Sequence, residues 1–480
     1  RTWMAQGRLN DAFDQVDVLA RTHEGADLAY LYGIGSHLKA LGYLRQAVPS
    51  ATTGFAFQDA QEFLGRALES DPERYYDAWH PLAESAWFNQ DLDAASAAIV
   101  HVLERGAQEP AALYLSGRIH FSQYTAAKTR SQAEEVALAH LEGAIEALRA
   151  ARTSIADPKA QATLTADVLK ELGIALQWQG STGAAHQAYA EALGWNPNAL
   201  AFSDYWGTLG LDDFVQVLEA GARNFVEHWG TDTKLDATLL WWLGSGQFSA
   251  ERYADSEATF GKVLTKWPAY VNSWFYVGMS RYYGQDYDGA IQAFHENWKV
   301  DPADLVASIQ SNRDLHLKVL DFLVGKCAQR GQPPGTEQEY NLRASFVCEV
   351  RCGVFPENWE YWDNWGFFAR HAGIFLEERA NPGDAQWTVR LFEQAWESYN
   401  RAIELSPAMP HLRNDAAVIL HYHLKRDLDQ ALEMYRAALA MAEEQLERGG
   451  LNPDLRTRAV KARADARANI AALLKGGRGL

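Results

Sequence analysis

The sequence predicts an all-α fold in which helix hairpins stack along the chain, and two observations predict it. One pattern of small, bulky and helix-ending residues occurs twice between Ala237 and Pro302. The two copies match at a spacing of 34 residues at four pairs of positions: Gly244 and Gly278, Tyr253 and Tyr287, Phe260 and Phe294, Pro268 and Pro302. A period of this length is typical of arrays in which each unit is a helix pair that cannot bury its apolar face alone.

The residue types of each copy follow from the packing of two crossed helices. The eighth position is Gly244 or Gly278 and the twentieth is Ser256 or Ala290. Small side chains at both places let the two backbones approach closely. The large Phe at the twenty-fourth position is expected to fill the seam towards the next unit. The Pro at the end of each copy closes the unit, because Pro cannot continue a helix.

These positions resemble the tetratricopeptide repeat (TPR), and the resemblance covers most of the chain. It implies a right-handed α-solenoid of about ten TPR-like helix hairpins with a C-terminal capping helix. It also implies a class of function, which is protein–protein scaffolding. Four segments are expected along the chain: 1–158, 159–304, 305–411 and 412–480.

Segment 1–158 is expected to hold N-terminal units with loop insertions. Trp3–Ala20 is interpreted as the second helix of a unit whose first helix is missing, so the chain is expected to start inside an array. A unit follows from Ala26, with a loop at Gln46–Gly54 and its second helix resuming near Phe57.

Two further units complete this segment. Tyr76–Ala107 fits a full unit, and the next begins at Pro110. That unit is expected to contain a second insertion at Tyr124–Ser131.

The central segment, 159–304, carries the most regular units. Its first unit is the best single match in the N-terminal half, through the following residues: Leu169, Leu172, Gly173, Ala185, Tyr189, Ala192 and Pro197. Ser203–Asp236 is interpreted as a degenerate unit with a short first helix that includes Trp206. The two reference units follow.

Segment 305–411 is expected to contain elongated pairs. Asp304–Gln329 is interpreted as one long helix, 331–335 as a hard turn, and Glu337–Arg351 as the partner helix. A further unit starts at Trp359 and turns at Asn381–Gly383. Together with the two earlier insertions, the stretches at 330–336 and 380–384 all fall between the helices of a unit, so the extra loops are expected on one rim.

The last segment, 412–480, is expected to hold one unit, Leu412–Gln445, and a capping helix from Asn452 to about Lys475. Arrays need a polar terminal element to cover the last apolar seam. The basic residues of this helix favour a solvated cap over a nucleic-acid surface: Arg456, Arg458, Lys461, Arg463 and Arg467.

Composition narrows the classes of partner. The net charge of −18 argues against a nucleic-acid footprint, since phosphate contacts need clustered Lys and Arg. A basic or apolar protein or peptide suits the chain better. The sequence contains no run of 18 apolar residues, so no membrane span is predicted and a soluble protein is expected. Three cysteines in 480 residues make no disulfide framework and leave the compartment open.

The resemblance also implies a candidate binding groove. In the family, positions two, five, nine and twelve of the first helix face the concave groove, and the reference units place five large side chains there: Trp241, Phe248, Phe275, Met279 and Tyr282. Trp178 and Tyr283 lie one position off that face and are weaker candidates. Large aromatic side chains suit a peptide-binding surface. The alternative is that they pack against the adjacent unit.

The family's clamp of Lys and Asn for a C-terminal carboxylate is not predicted, because Lys170 is followed by Ile174 in place of Asn. Cys348 and Cys352 lie one helical turn apart but lack a second ligand pair, so core cysteines are expected. His421 and His423 point to nearly opposite faces of a helix. The sequence therefore predicts no metal site and no cofactor.

No phosphate loop, dinucleotide turn, nucleophile elbow or HExxH motif occurs, so no catalytic residue is predicted. The function that we expect is a non-enzymatic scaffold that binds a protein or peptide in its groove or along its loop-bearing rim. One alternative is a structural subunit of a larger assembly with lateral or self contacts. Another is the interaction arm of an enzyme whose catalytic part precedes Arg1.

Overall fold

The structure is a computed structural model that describes residues 15–16, 18, 25–46, 50–106, 108–131, 133–200, 208–230, 237–330 and 337–476. Every regular element within these residues is a helix, and consecutive helices pack in pairs. The predicted all-α solenoid of helix hairpins is therefore confirmed. The chain divides into two compact units, Arg1–Leu243 and Gly244–Leu480.

The first unit is a series of antiparallel helix pairs. Its helices are α1 Ala26–Arg45, α2 Ser50–Ser70, α3 Trp79–Phe88, α4 Leu92–Arg105, α5 Pro110–Thr129, α6 Glu134–Ser154, α7 Ala162–Trp178, α8 Thr182–Trp195 and α9 Leu211–Trp229. A short 3₁₀ turn, Tyr76–Ala78, leads into α3. The division between the units falls inside α10, Ala237–Ser249.

The second unit repeats the same organisation with longer helices towards its end. Its remaining helices are α11 Tyr253–Lys266, α12 Ser273–Tyr283, α13 Tyr287–Val300, α14 Pro302–Ser311, α15 Arg313–Arg330, α16 Glu337–Val354, α17 Trp359–Arg379, α18 Ala385–Leu405, α19 Pro410–Val418, α20 Leu428–Arg448 and α21 Pro453–Gly476. A π-helical turn, Ile419–Leu424, continues α19.

Glycine sets the crossing distance inside the hairpins, as predicted, but it faces the aromatic ring and not the small residue. A Cβ on Gly278 would lie 2.6 Å from Cε1 of Phe294, and a Cβ on Gly244 would lie 2.8 Å from Cε2 of Phe260. The Ser256 hydroxyl instead donates a hydrogen bond to the Gly244 carbonyl at 2.9 Å. The same close approach recurs at Gly33 on Leu64, Gly117 on Leu148, Gly173 on Tyr189 and Gly366 on Tyr399.

The Phe260 side chain also reaches the next hairpin, as predicted. The Phe260 ring stacks on Tyr276 of α12 with ring centroids 5.0 Å apart. One aromatic residue therefore covers the glycine of its own hairpin and joins that hairpin to its neighbour.

Four hairpins share one turn between their two helices. In each, one residue takes a left-handed conformation, with φ of 62° at Gln90, 85° at Gly180, 59° at Glu251 and 67° at Gln285. The next amide then donates to a carbonyl five residues earlier, as from Asp286 to Arg281 at 2.8 Å. This is the hydrogen-bond pattern of a Schellman cap, and it satisfies the last carbonyls of the first helix.

Two predicted loop insertions are extra helical turns. The loop expected at Gln46–Gly54 ends early, because α2 already begins at Ser50 and buries Thr53. The insertion expected at Tyr124–Ser131 is mostly the last turns of α5, where Tyr124 and Ala127 are buried. Burial on a neighbouring helix outweighs the turn-like composition of both stretches, so the prediction of rim loops there is wrong.

The long helix predicted over Asp304–Gln329 is two helices. The chain breaks at Asn312, whose φ of −143° and ψ of 69° are not helical. The first of the two is tied to the start of α12: the Ser308 hydroxyl donates to Oδ1 of Asn272 at 2.6 Å, and the Asn272 amide donates to Asp304 at 3.0 Å. These tertiary hydrogen bonds hold α14 against the start of α12.

The predicted capping helix is present as α21. It packs through a stripe of small residues, Ala459, Ala462 and Ala466, all buried. Some predictions lie outside the described residues: the turn at 331–335, Trp206 and nearly all of Trp3–Ala20.

Candidate functional site

Two of the predicted groove residues are core residues. Phe275 is 6% exposed and Met279 is 2% exposed, and both belong to the core of the second unit. The Phe275 ring contacts the His316 ring of α15 with centroids 4.9 Å apart. The prediction that these two residues are exposed in a groove is wrong, because α15 covers this face of α12. They pack in the core instead.

The other predicted aromatic residues of the second unit lie together at the ends of the helices. Phe248 contacts Tyr253 and Tyr283 at centroid distances of 5.6 and 5.9 Å, and Tyr253 stacks on Tyr283 at 5.1 Å. Tyr282 packs edge-on against the exposed Phe322 at 5.6 Å. Burial raises the pKa of the Tyr282 and Tyr253 hydroxyls, so these phenols stay neutral at physiological pH.

In the first unit, Trp241 is half-buried and contacts Trp242 edge-on at 5.2 Å. Trp178 differs, because it ends α7 with 58% of its surface exposed. Its ring touches Tyr124 of α5 edge-on at a centroid distance of 5.8 Å. Trp178 is thus the predicted site residue in the first unit with the most exposed aromatic surface.

A cleft of about 790 Å³ opens beside Trp178. One face of α7 supplies its wall, through Lys170, Glu171, Ile174, Gln177 and Trp178, and Tyr189 and residues 198–200 and 208 complete it. The size is that of a ligand pocket. Residues 201–207, which connect two parts of this lining, lie outside the described part of the chain.

The polar groups of this cleft are held in place. The Tyr189 hydroxyl donates to Oε1 of Gln177 at 2.8 Å, and Nε2 of Gln177 donates to the Thr208 carbonyl at 3.3 Å. The Lys170 ammonium lies 3.6 Å from Glu171 and 3.9 Å from Asp167. Two acidic side chains thus lie beside Lys170 at this end of the cleft.

The cysteines are buried, as expected. Burial raises the pKa of the Cys348 thiol to about 12 and raises that of Cys352 as well, which disfavours the thiolate that a metal needs. His421 lies 3.4 Å from the Tyr435 hydroxyl, whereas His423 stacks on Phe392. Among the described residues, no group of three or more His, Cys, Asp or Glu side chains is placed to hold a metal ion.

Comparison with known proteins gives likenesses to solved structures only. No family model matches the chain, and no curated protein matches it. The APC/C hetero-tetramer Cut9-Hcn1 is 13% identical over 90% of this chain and 96% of that one, with a TM-score of 0.29. Yeast Tom70 is 13% identical over 99% and 100%, with a TM-score of 0.23. The C-terminal part of a TPR repeat-containing protein from Cytophaga hutchinsonii is 13% identical over 70% and 98%, with a TM-score of 0.26.

The described residues themselves show paired helices with close glycine crossings, an arrangement that resembles tetratricopeptide hairpins. In TPR terms the cleft lies on the first helix of a unit, with the second helix supplying Tyr189. In the described part of the chain, no helix is both long and apolar enough to cross a membrane.

A second pocket was missed by the TPR mapping, because it lies on the second helices. Its lining residues repeat at three- and four-residue intervals along α13, α16 and α18. That spacing marks one face of a helix. An outward-facing aromatic stripe on three separate second helices was the signal that could have found it.

Proposed function

We propose that this chain is a non-enzymatic scaffold that binds a protein or peptide partner, and that the cleft beside Trp178 receives an apolar side chain of that partner. The observation that carries the proposal is an exposed Trp at the wall of a cleft whose polar groups are already fixed. Trp is among the residues that contribute most to binding energy at protein interfaces.

The chemistry of the cleft suits an apolar anchor flanked by peptide backbone. Ile174 and the buried Leu200 provide apolar surface, and the Trp178 ring can cover one side of an inserted side chain. The Lys170–Glu171 pair marks a polar end where a backbone amide or carbonyl can be hydrogen-bonded. Residues with few rotors and fixed partners lose little entropy on binding.

A peptide display selection on the purified chain tests this proposal. We expect enriched peptides with an apolar anchor, and we expect Trp178→Ala to weaken the binding of the synthetic peptides at least about tenfold, in line with the loss of an aromatic anchor. Trp267→Ala is the matched control, because Trp267 is also exposed, at 38%, but lies in the second unit. Selection without enrichment, or equal binding by Trp178→Ala, would contradict the proposal.

Light scattering on the same samples separates the alternatives. A scaffold is expected to be monomeric without its partner. Self-association that is lost in Trp178→Ala would show that a second copy fills the cleft, and it would favour a structural subunit of an assembly.

A further inference from the structure

A pocket of about 490 Å³ lies on the second helices of the second unit and shares no lining residue with the Trp178 cleft. Three helices line it: α13 with His295 and Trp298, α16 with Phe346 and Glu349, and α18 with Trp387 and Arg390. The volume is within the range of pockets that bind small organic ligands.

The walls of this three-helix pocket are aromatic and firmly packed. His295 lies flat on Phe346 with ring centroids 3.9 Å apart, and Phe346 meets Trp387 edge-on at 6.0 Å. Burial lowers the pKa of His295 to about 4, so this ring is neutral at physiological pH and behaves as a flat aromatic surface. The Trp298 ring lies directly over Gly353, where no larger residue fits.

One carboxylate lies among these rings. Oε1 of Glu349 accepts a hydrogen bond from Nε1 of Trp298 at 3.2 Å, and burial raises the pKa of the Glu349 carboxyl. An ionised carboxylate has room for about four hydrogen bonds and can only accept them. A ligand that donates hydrogen bonds in the plane of a ring would compensate for its lost hydration.

Cationic groups lie at the same pocket. The exposed Arg390 lines it, as does Lys299, which also pairs with Glu296 at 3.1 Å. A cationic guest would meet repulsion from these two side chains. A guest with an anionic group would instead gain a charge-assisted hydrogen bond, for which the guanidinium of Arg390 is well shaped.

We propose that the three-helix pocket binds a purine mononucleotide, with the base stacked on Trp387, its hydrogen-bond donors on Glu349 and its phosphate on Arg390. Guanine is preferred over adenine. The Watson–Crick edge of guanine presents two adjacent N–H donors to a carboxylate, whereas that of adenine places an acceptor nitrogen beside its single amino donor. Stacking of the base on aromatic side chains supplies the part of the affinity that does not depend on which base is bound.

Calorimetric titration of the full chain with GMP, AMP, guanosine and inorganic phosphate tests the proposal. We expect saturable binding of GMP, at least tenfold weaker binding of AMP, and little heat with phosphate alone. Glu349→Gln keeps the shape of the side chain and replaces one acceptor oxygen by a donor, so it is expected to weaken GMP at least tenfold and to narrow the preference over AMP.

Two further variants assign the other parts of the ligand. Trp387 is 43% exposed, so Trp387→Ala is expected to fold and to weaken GMP about tenfold or more. Arg390→Ala is expected to weaken GMP but to leave guanosine unchanged. Trp178→Ala should bind GMP like the unchanged chain, which keeps this test separate from that of the peptide cleft.

Several outcomes would overturn the proposal. Absence of GMP binding would do so, as would saturation by phosphate alone, which would indicate a simple anion site. Tighter binding of ethylguanidinium than of GMP would show that the aromatic walls and Glu349 form a cage for cations. Circular dichroism melts of each variant would identify any loss of binding that comes from misfolding.

Discussion

The close contact between Gly278 and Phe294 makes a quantitative prediction about stability. A Cβ at position 278 would lie 2.6, 2.8 and 2.9 Å from three carbons of the Phe294 ring. Carbon atoms in contact prefer separations of about 3.5–4.0 Å, so the ring must retreat by roughly 1 Å. Phe294 is buried in the core of the second unit, where such a shift displaces further side chains. Overpacking of this kind costs about 1–3 kcal/mol.

Gly261→Ala is the matched control for Gly278→Ala. Gly261 lies on the exposed face of α11, and a Cβ added there would have no neighbouring atom within 4 Å. Ala is favoured over Gly inside a helix by about 1 kcal/mol, and both substitutions gain this term. We therefore expect Gly261→Ala to raise the free energy of unfolding, and the difference between the two variants to be about 1–3 kcal/mol.

Urea unfolding followed by circular dichroism at 222 nm measures both variants. Repeat arrays can unfold in more than one step. The unfolding curves of the two variants must therefore share their baselines and the slope of unfolding free energy against urea concentration before their midpoints are compared. In a Phe294→Leu background the penalty at 278 should fall by more than half, since the ring that blocks the Cβ is gone. Equal stabilisation by Gly278→Ala and Gly261→Ala would refute the glycine-on-ring account of the hairpin crossing.

Three further predictions address turns, caps and a buried carboxyl. Gln285 has a left-handed φ of 67°, so Gln285→Gly should stabilise the fold by about 0.5–1 kcal/mol. Gly180→Ala at the equivalent turn should destabilise the fold by a similar amount. Changes of the opposite sign in thermal melts would contradict this. Asp286 accepts from the Gly289 amide at 3.0 Å at the start of α13, so Asp286→Ala should cost about 1 kcal/mol and Asp286→Asn much less, as measured by urea midpoints. Burial and the nearby Asp363 raise the pKa of the Asp415 carboxyl in the folded state. The protonated carboxyl therefore favours the folded state at low pH, and this stabilisation is lost as the pH rises from about 3.9, the pKa in the unfolded chain, through the raised pKa of the folded state. Asp415→Asn should then be more stable than the unchanged chain at pH 7 and lose that advantage near pH 4; an advantage independent of pH would show that Asp415 is not the cause.

The hairpins of this chain could be predicted because their packing rule is local in sequence. Gly at the eighth position and Phe at the twenty-fourth belong to one unit and touch each other, so a single 34-residue window contains the whole contact. The turn that ends the first helix is local as well, with residues 281–286 completing its hydrogen bonds.

Longer-range contacts caused the wrong predictions. The Ser, Thr and Gly of residues 50–54 have turn-like composition, but Thr53 is buried and the segment is helical. The break at Asn312 depends on hydrogen bonds between α14 and Asn272, 36 residues before Ser308. Neither contact could be predicted from local periodicity.

The candidate sites divide in the same way. Trp178 could be singled out because its position in the repeat was known from one helix. The three-helix pocket could not, because His295, Phe346 and Trp387 come from helices that are far apart in sequence. The prediction that Phe275 faces the groove was also wrong because of a contact that is distant in sequence. α15 covers the face of α12 that an isolated repeat unit leaves open.

On α7 and α16, neighbouring residues divide between the packing inside the hairpin and the lining of a candidate site, although Tyr189 of α8 serves both. In α7, Gly173 packs on Tyr189 inside the hairpin, whereas Ile174 and Trp178 face the cleft. In α16, Cys348 is buried while Glu349 lines the three-helix pocket. Because adjacent positions on a helix are about 100° apart, a substitution on the outer face can remove a ligand contact without disturbing the crossing. Loss of binding with an unchanged melt would thus indicate a site on the outer face, and loss of both would indicate the packing inside the hairpin.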